Sequence, residues 1–178
     1  AEIVSANAIL TVPGITLGGT FSVELNDTGA AYSSSVDANG NVVEVDVPAG
    51  PYLRVTASEA ELQVLGIGLS GTFVFENKTT TTGGEEVITV AASEVSLDLG
   101  SSASDYVSIT DGSGVFIITE DGLAGQATVT LDVGVPEVGI SGASTLQVND
   151  TESAVSETVS VGGTNVVMSL TTGPYLDV

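Results

Sequence analysis

The sequence predicts an all-β protein built from repeated strands, and three observations lead to this prediction. The 178-residue chain is rich in Val, Thr, Ile and Ser and contains 22 Gly, a composition typical of strands and turns. Apolar and polar residues alternate over many segments, as expected for strands with one buried face. Similar short motifs return at regular intervals, and no segment has a convincing helical period.

The alternation is clearest near the middle of the chain. Leu53, Val55 and Ala57 are apolar at odd positions, whereas the apolar residues after Ser58-Glu59 stand at even positions. We therefore expect a corner at Ser58-Glu59. The Thr-rich run at 79–84 is expected to form a loop.

The longest internal repeat relates segment 12–55 to segment 135–178. Tyr52 and Tyr175, for example, are separated by 123 residues and lie in the same Gly-Pro-Tyr-Leu motif. Residues 1–178 are therefore predicted to form a single continuous β-repeat segment that holds about 1.5 copies of a 123-residue unit.

Shorter motifs recur inside this unit. Segments 17–21 and 69–73 both read Leu-x-Gly-Thr-Phe and are 52 residues apart, and segments 55–59 and 90–94 share Ala-Ser-Glu at an offset of 35. These offsets are multiples of about 17.5 residues, which is enough for two strands of about six residues and two turns. About ten such two-strand modules fit into the chain.

Two architectures place a strand pair at this interval. The first is an elongated, β-solenoid-like repeat stack, in which each module adds about 4.8 Å to a rod of about 50 Å. The second is an antiparallel meander rolled into a β-sandwich or barrel. Recurrent Gly-Leu-Ser-Gly and Gly-Leu-Ala-Gly corners favour the stack, whereas Asn39-Gly40 and Gly162-Gly163 are typical of tight hairpins.

Composition excludes several classes of function. The chain has 23 Asp and Glu against 2 Lys and Arg, a net charge of -21, and no His, Cys or Trp. It therefore supplies no His-based triad, Cys nucleophile, thiolate or imidazole zinc site or disulfide. The scarcity of basic residues argues against binding to nucleic acid or anionic membranes, and no apolar run is long enough for a membrane helix.

The excess of acidic residues has three explanations. Like charges keep an apolar β-rich protein soluble and prevent strand edges from associating. A high density of carboxylates also suits divalent cations, Ca²⁺ above all. Adaptation to a salt-rich habitat would use the same residues.

Four residues are candidate calcium ligands: Asp37, Asn39, Asn41 and Glu44. They begin like a calcium-binding loop, although Pro48 stands where the bidentate Glu of such a loop is expected. The alternative is a type I′ hairpin turn at Asn39 with solvated acidic side chains. No cofactor is required under either interpretation.

Three Asn-x-Thr triplets, at Asn26, Asn77 and Asn149, are candidate glycosylation sites. They stand at similar points of the repeats, so we treat them as one copied feature. Asn26 and Asn149 also suit Asx turns that cap backbone donors at the end of a strand. The two copies of the unit differ in charge at the position of Arg54, because the equivalent residue in the second copy is Asp177. We therefore expect Arg54 to be exposed.

Segments 50–56, 69–73 and 90–97 resemble the repeats of very large secreted or surface proteins of bacteria, which string acidic, Thr/Val/Gly-rich β-modules between a cell anchor and a terminal binding domain. The resemblance covers the whole chain. It implies an extracellular or cell-surface extender of an adhesin-like or fibre-like protein, often stiffened by calcium.

The first functional hypothesis is a non-enzymatic structural segment that acts as a spacer or as the body of a fibre. Its partners would be neighbouring repeats or identical subunits that cover its strand edges, and we expect the native chain to continue on both sides or another subunit to lie there. The second hypothesis is a module that binds cell-surface glycans or another surface. A remote third is a glycoside hydrolase that uses a pair of carboxylates. No partner among nucleic acids and no insertion into a membrane are expected.

Overall fold

A computed structural model describes residues 2–12, 15–38, 40–64, 67–79, 85–101, 104–135 and 138–178. Within these ranges the chain is all-β, as predicted, and it contains no helix that could cross a membrane. The strands are β1 (Glu2–Val12), β2 (Ile15–Asn26), β3 (Tyr32–Ala38), β4 (Asn41–Val47), β5 (Tyr52–Val64), β6 (Ile67–Thr79), β7 (Glu86–Ser101), β8 (Ser104–Thr119), β9 (Gly122–Val135), β10 (Val138–Asn149), β11 (Val155–Val161), β12 (Thr164–Leu170) and β13 (Tyr175–Asp177).

Nine strands form one antiparallel sheet in the order β1-β2-β5-β6-β7-β8-β9-β10-β13. The antiparallel meander of the alternative interpretation is present, but the sheet of described strands is not closed into a barrel, and the solenoid-like stack is not confirmed. The interval of about 17.5 residues has a different cause from the one expected. It holds one long strand and its turn, since β5 to β9 are 13 to 16 residues long.

The expected corner at Ser58-Glu59 is a β-bulge inside one continuous strand. Ala57 pairs with Phe73 and Ala60 pairs with Gly71, so β5 uses three residues where β6 uses two. The extra residue shifts the alternation from odd to even positions without turning the strand over. The same face of the sheet therefore stays apolar on both sides of the bulge.

The related motif in β7 also forms a β-bulge. Ser93 pairs with Thr72 and Ser96 pairs with Ser70, again three residues against two. Glu59 and Glu94 both have left-handed backbone conformations, with φ of 49° and 54°. The Ala-Ser-Glu repeat thus encodes a bulge, and a third one lies in β8 at Asp111, with φ of 54°.

A glycine lies opposite the β7 bulge, in the Leu-x-Gly-Thr-Phe motif of β6. Gly71 has φ of 155°, and a Cβ atom there would lie 3.2 Å from the Cα atom of Val95. A side chain would therefore push the bulged strand away. The two short motifs recur together because each Leu-x-Gly-Thr-Phe segment pairs with a bulged segment.

Two hairpins, β3–β4 and β11–β12, lie outside the main sheet. Each is inserted between two neighbouring strands of the sheet, β2 and β5 in the first case and β10 and β13 in the second. Hairpin β11–β12 packs across β6 to β10. The hydrophobic core lies beneath it and consists of Val74, Ala91, Val115, Ile117 and Ala124 from the sheet and Val159, Val161, Val166, Met168 and Leu170 from the hairpin. We call this side of the sheet the covered face.

The 123-residue offset relates two segments that fold alike. Each strand of hairpin β3–β4 begins and ends 123 residues before its counterpart in β11–β12. β2 and β10 likewise correspond, as do β5 and β13. Going from β2 to β10 therefore moves the chain six strands along the sheet and returns it to an equivalent position.

Candidate interaction surfaces

A buried asparagine closes the base of each hairpin. Asn26 is 0% exposed, and its Nδ2 atom donates to the carbonyl oxygens of Ala30 at 2.9 Å and Pro48 at 2.6 Å. Its Oδ1 atom accepts from the backbone nitrogen of Thr28 at 2.9 Å and from the hydroxyl of Thr28 at 2.7 Å. Every hydrogen-bonding capacity of the amide is thus used inside the protein. We call this arrangement the Asn clasp.

The second hairpin has the same clasp. Asn149 is also 0% exposed, and its Nδ2 atom donates to the carbonyl oxygens of Ser153 at 2.8 Å and Thr171 at 2.7 Å. Its Oδ1 atom accepts from the backbone nitrogen of Thr151 at 3.0 Å and from its hydroxyl at 2.8 Å. A Cβ atom on Gly173 would overlap the Asn149 carbonyl oxygen, so the clasp requires glycine there. The Asx turns expected at these residues are present in this form.

The clasps change the interpretation of the glycosylation triplets. A glycan on Nδ2 of Asn26 or Asn149 would replace one of the two donated hydrogens, and so remove one hydrogen bond, and it needs space that a fully buried side chain lacks. Asn77 is not equivalent to them, contrary to expectation. It lies within β6, is half-buried, and its Nδ2 atom donates to Glu86 at 2.7 Å. The geometry therefore argues against a glycan on the folded chain at the two clasp residues.

The calcium candidates lie in hairpin β3–β4. Asp37 pairs with Val42, and its Oδ1 atom accepts from the backbone nitrogen of Gly40 at 2.7 Å, as in a hairpin turn. Glu44 is exposed and lies on the same face as Asp37. Asn39 is outside the described residues, and the side chain of Asn41 is not described. Within the described part of the chain, no three acidic side chains are grouped as a metal site, and calcium binding stays a prediction.

Both basic residues of the chain meet one buried carboxylate. Arg54 Nη1 lies 3.2 Å from Glu76 Oε2, and Lys78 Nζ lies 3.1 Å from Glu76 Oε1. Arg54 also donates to the carbonyl oxygen of Ser160, and Lys78 lies 3.8 Å from Glu157. Because Ser160 and Glu157 belong to β11, this Glu76 cluster fastens the hairpin to the covered face.

Tyr52 completes the cluster. Its hydroxyl lies 3.3 Å from Glu76 Oε2 and 3.4 Å from Glu24 Oε2, so the single hydroxyl proton is shared between two carboxylates. Burial raises the pKa of Tyr52, and the negative charges of Glu76 and Glu24 raise it further, against the opposing effect of Arg54. The phenol therefore stays protonated far above its ordinary pH range.

The expectation that Arg54 is exposed was wrong. Its side chain is largely buried because Glu24 and Glu76 flank it on the two neighbouring strands. The sequence contains a pattern from which the pairing of Arg54 with Glu76 could have been predicted. Arg54 and Glu76 stand at polar positions of two adjacent alternating strands, where opposite charges attract.

The other side of the sheet, which we call the open face, is apolar and lies away from both hairpins. Cross-strand pairing brings its residues into continuous rows, such as Val55, Phe75, Val90 and Phe116. Ile118 at the end of β8 is 45% exposed. The apolar side chains of the open face include Phe21, Val23, Leu25, Leu53, Val55, Ala57, Phe73, Phe75, Ile88, Val90, Ala92, Phe116, Ile118, Leu123, Ala127, Val129, Leu146 and Val148.

One strand edge is only partly paired. β2 pairs with β5 over nearly its whole length, from Ile15 to Asn26. Its counterpart β10 pairs with β13 only from Gln147 to Asn149.

Comparison of the chain with protein-family models, with curated proteins and with solved structures found no match.

Proposed function

We propose that this chain is a structural β-sheet segment that acts as a spacer or extender of an extracellular surface or fibre protein. One observation carries the proposal. The Asn clasp, its hairpin and the strand that follows occur at β2 and again, 123 residues later, at β10. Because the unit ends at a strand equivalent to the one at which it begins, a further unit can follow with the same strand pairing and the same hairpin.

The sheet topology gives such an extender a length per unit. Six strand-to-strand steps separate β2 from β10, and each step adds about 4.8 Å across an antiparallel sheet. One unit would therefore extend the sheet by about 29 Å. The strand edges supply the junctions, so the proposed partners are neighbouring repeats or identical subunits. The extracellular location belongs to the same proposal and is supported by the family resemblance alone.

A longer polypeptide tests the proposal directly. Residues 1–135 followed by residues 13–178 insert one additional unit and keep a Val-Pro junction, because Val12-Pro13 and Val135-Pro136 are equivalent. Small-angle X-ray scattering should show a maximum dimension about 29 Å larger than that of the single chain. The control joins two complete chains by a flexible Gly/Ser linker and should scatter as two independently moving bodies.

A tandem chain that scatters like the linker control, or that fails to fold cooperatively, would overturn the extender proposal. Binding to cell-surface glycans and hydrolysis of glycosides stay sequence-based hypotheses.

A further inference from the structure

The two hairpins have equal lengths and equivalent clasps, but they lie in different surroundings. Hairpin β11–β12 packs over β6 to β10. Hairpin β3–β4 contacts the sheet at β2, which corresponds to the contact of β12 with β10. The order of the described strands explains the difference, because four of them lie beside β10 under its hairpin, whereas one described strand, β1, lies beyond β2.

The exposure of equivalent side chains shows the same difference. Met168 is 0% exposed, whereas its equivalent Val45 is only half-buried. Val155 packs against the core, whereas its equivalent Tyr32 is 48% exposed. At the base of the hairpins, Val47 and Leu170 are both buried. Hairpin β3–β4 therefore resembles its counterpart close to the clasp, whereas Val45 and Tyr32 are more exposed than the equivalent residues of β11–β12.

Building on the extender function above, we propose that hairpin β3–β4 is a docking element for the covered face of a preceding 123-residue unit. The partner surface is visible in this molecule, where the equivalent hairpin β11–β12 lies on Val74, Ala91 and Val115. The hairpin would thus lock each unit of an array onto the unit before it.

The chemistry of the hairpin suits this partner. Along β4 the exposed acids Glu44 and Asp46 alternate with Val45 and Val47, so charges lie on one side and apolar groups on the other. The part of the partner surface that packs against the apolar side of β11–β12 is itself apolar. Two strands of seven residues cover much less than the roughly 800 Å² per partner of a stable independent interface. Docking therefore needs strand pairing between the two units along the sheet. This pairing holds the hairpin next to its partner surface and so gives it a high effective concentration there.

The tandem polypeptide allows one substitution to be compared in two surroundings. It contains hairpin β3–β4 twice, and only the second copy has strands equivalent to β6–β9 beside it. We expect Val45→Asp in the second copy to lower the midpoint of thermal unfolding by about 10 °C, because a carboxylate would be buried against an apolar surface. The same substitution in the first copy, or in the single chain, should lower it by less than about 2 °C.

Two further variants keep the comparison interpretable. Val42→Asp is the matched control, since Val42 is 65% exposed on the opposite side of the same strand and should be tolerated in both copies. Val45→Ala gives a milder loss if the Asp variant does not fold, and its effect should again be larger in the second copy.

Equal effects of Val45→Asp in the two copies, whether small or large, would overturn the docking inference. Scattering of the same samples separates the two proposals. A tandem chain that is about 29 Å longer but insensitive to the position of Val45→Asp would contradict docking and leave the extender function intact. A tandem chain that does not lengthen would contradict the extender function itself.

Discussion

Glu24 in β2 is the direct cross-strand neighbour of Arg54 in β5. Their equivalents in the second copy, Gln147 in β10 and Asp177 in β13, are also direct neighbours. Both positions thus differ together, since an acid beside a base becomes an amide beside an acid. Like charges placed opposite each other destabilise an antiparallel pair, and Gln147 removes the repulsion that Asp177 would otherwise meet.

This relationship predicts the effect of reversing the charge at Arg54. Arg54→Asp would place three carboxylates side by side on β2, β5 and β6 and would remove the bond to Ser160. We expect the free energy of unfolding to fall by about 2–4 kcal/mol. Urea denaturation followed by far-UV circular dichroism measures this change.

The second copy supplies the control. Adding Glu24→Gln to Arg54→Asp imitates the pair Gln147 and Asp177 and should recover part of the loss. Asp177→Ala concerns an exposed residue and should change stability by less than about 0.5 kcal/mol. A single Arg54→Asp variant as stable as the original chain would show that the Glu76 cluster contributes nothing.

Tyr52 predicts a loss of stability in alkali. Above pH 10.0 the phenol of the unfolded chain loses its proton, whereas the raised pKa of Tyr52 keeps the folded form protonated. The folded state then binds more protons than the unfolded state. The free energy of unfolding therefore decreases by up to about 1.4 kcal/mol for each pH unit above pH 10. Below pH 10 the contribution of Tyr52 is fully present.

Denaturation of a Tyr52→Phe variant between pH 8 and pH 11 tests this dependence. The difference from the original chain should be constant below pH 10 and should shrink as the pH rises further. Tyr175→Phe, at the equivalent position in β13, controls for the general effect of removing a hydroxyl group. A pH profile of Tyr52→Phe that runs parallel to the original would contradict the proposed role of the phenol.

The Asn clasps predict strong and specific destabilisation. Asn149→Ala removes four hydrogen bonds and takes the Asn149 donor from the carbonyl oxygen of Thr171, whereas the carbonyl oxygen of Ser153 keeps the hydroxyl of Thr151 at 3.1 Å. The loss should cost about 2–4 kcal/mol. Asn165→Ala, at an exposed position of β12, is the matched control. Similar losses in both variants would show that the clasp is no more than an ordinary surface turn.

The all-β class could be predicted from the sequence because alternation and composition report local preference. The 123-residue repeat was informative for the same reason, since equivalent sequences formed equivalent hairpins. The recurrent Gly-Leu-Ser-Gly and Gly-Leu-Ala-Gly segments favour a solenoid when they are interpreted as corners, and the shift of parity at Ser58-Glu59 predicts a further corner. A bulge produces the same shift within one strand, and alternation alone does not distinguish them.

The Glu76 cluster was not predicted because it depends on the order and register of strands. Glu76 and Arg54 are 22 residues apart, and Glu157 comes from a hairpin that folds back over the sheet. Comparing the copies gave a misleading inference at Arg54, because Asp177 stands beside Gln147 and not beside an acid. A substitution between repeats reports the neighbours of each copy as well as exposure.

Calcium binding is a separate prediction from the sequence. If Asp37 and Glu44 contribute to a site, millimolar Ca²⁺ should raise the midpoint of thermal unfolding relative to excess EDTA. The rise should exceed that given by Mg²⁺ at equal ionic strength and should be lost in the double variant Asp37→Asn, Glu44→Gln. Identical midpoints in Ca²⁺ and Mg²⁺ would assign the effect to general screening of the chain's negative charge.

The bulges predict a substitution to glycine that stabilises a strand. Glu94 has a left-handed backbone conformation, which costs a residue with a Cβ atom about 1 kcal/mol relative to glycine. Glu94→Gly should therefore raise the free energy of unfolding by about 0.5–1 kcal/mol, and the β-branched variant Glu94→Val should lower it by about 1–2 kcal/mol. Glu61→Gly is the control, because Glu61 is an exposed residue of paired β5, where glycine only adds flexibility and should destabilise. Urea denaturation of the three variants decides the matter, since equal destabilisation by both glycine substitutions would mean that Glu94 is not strained.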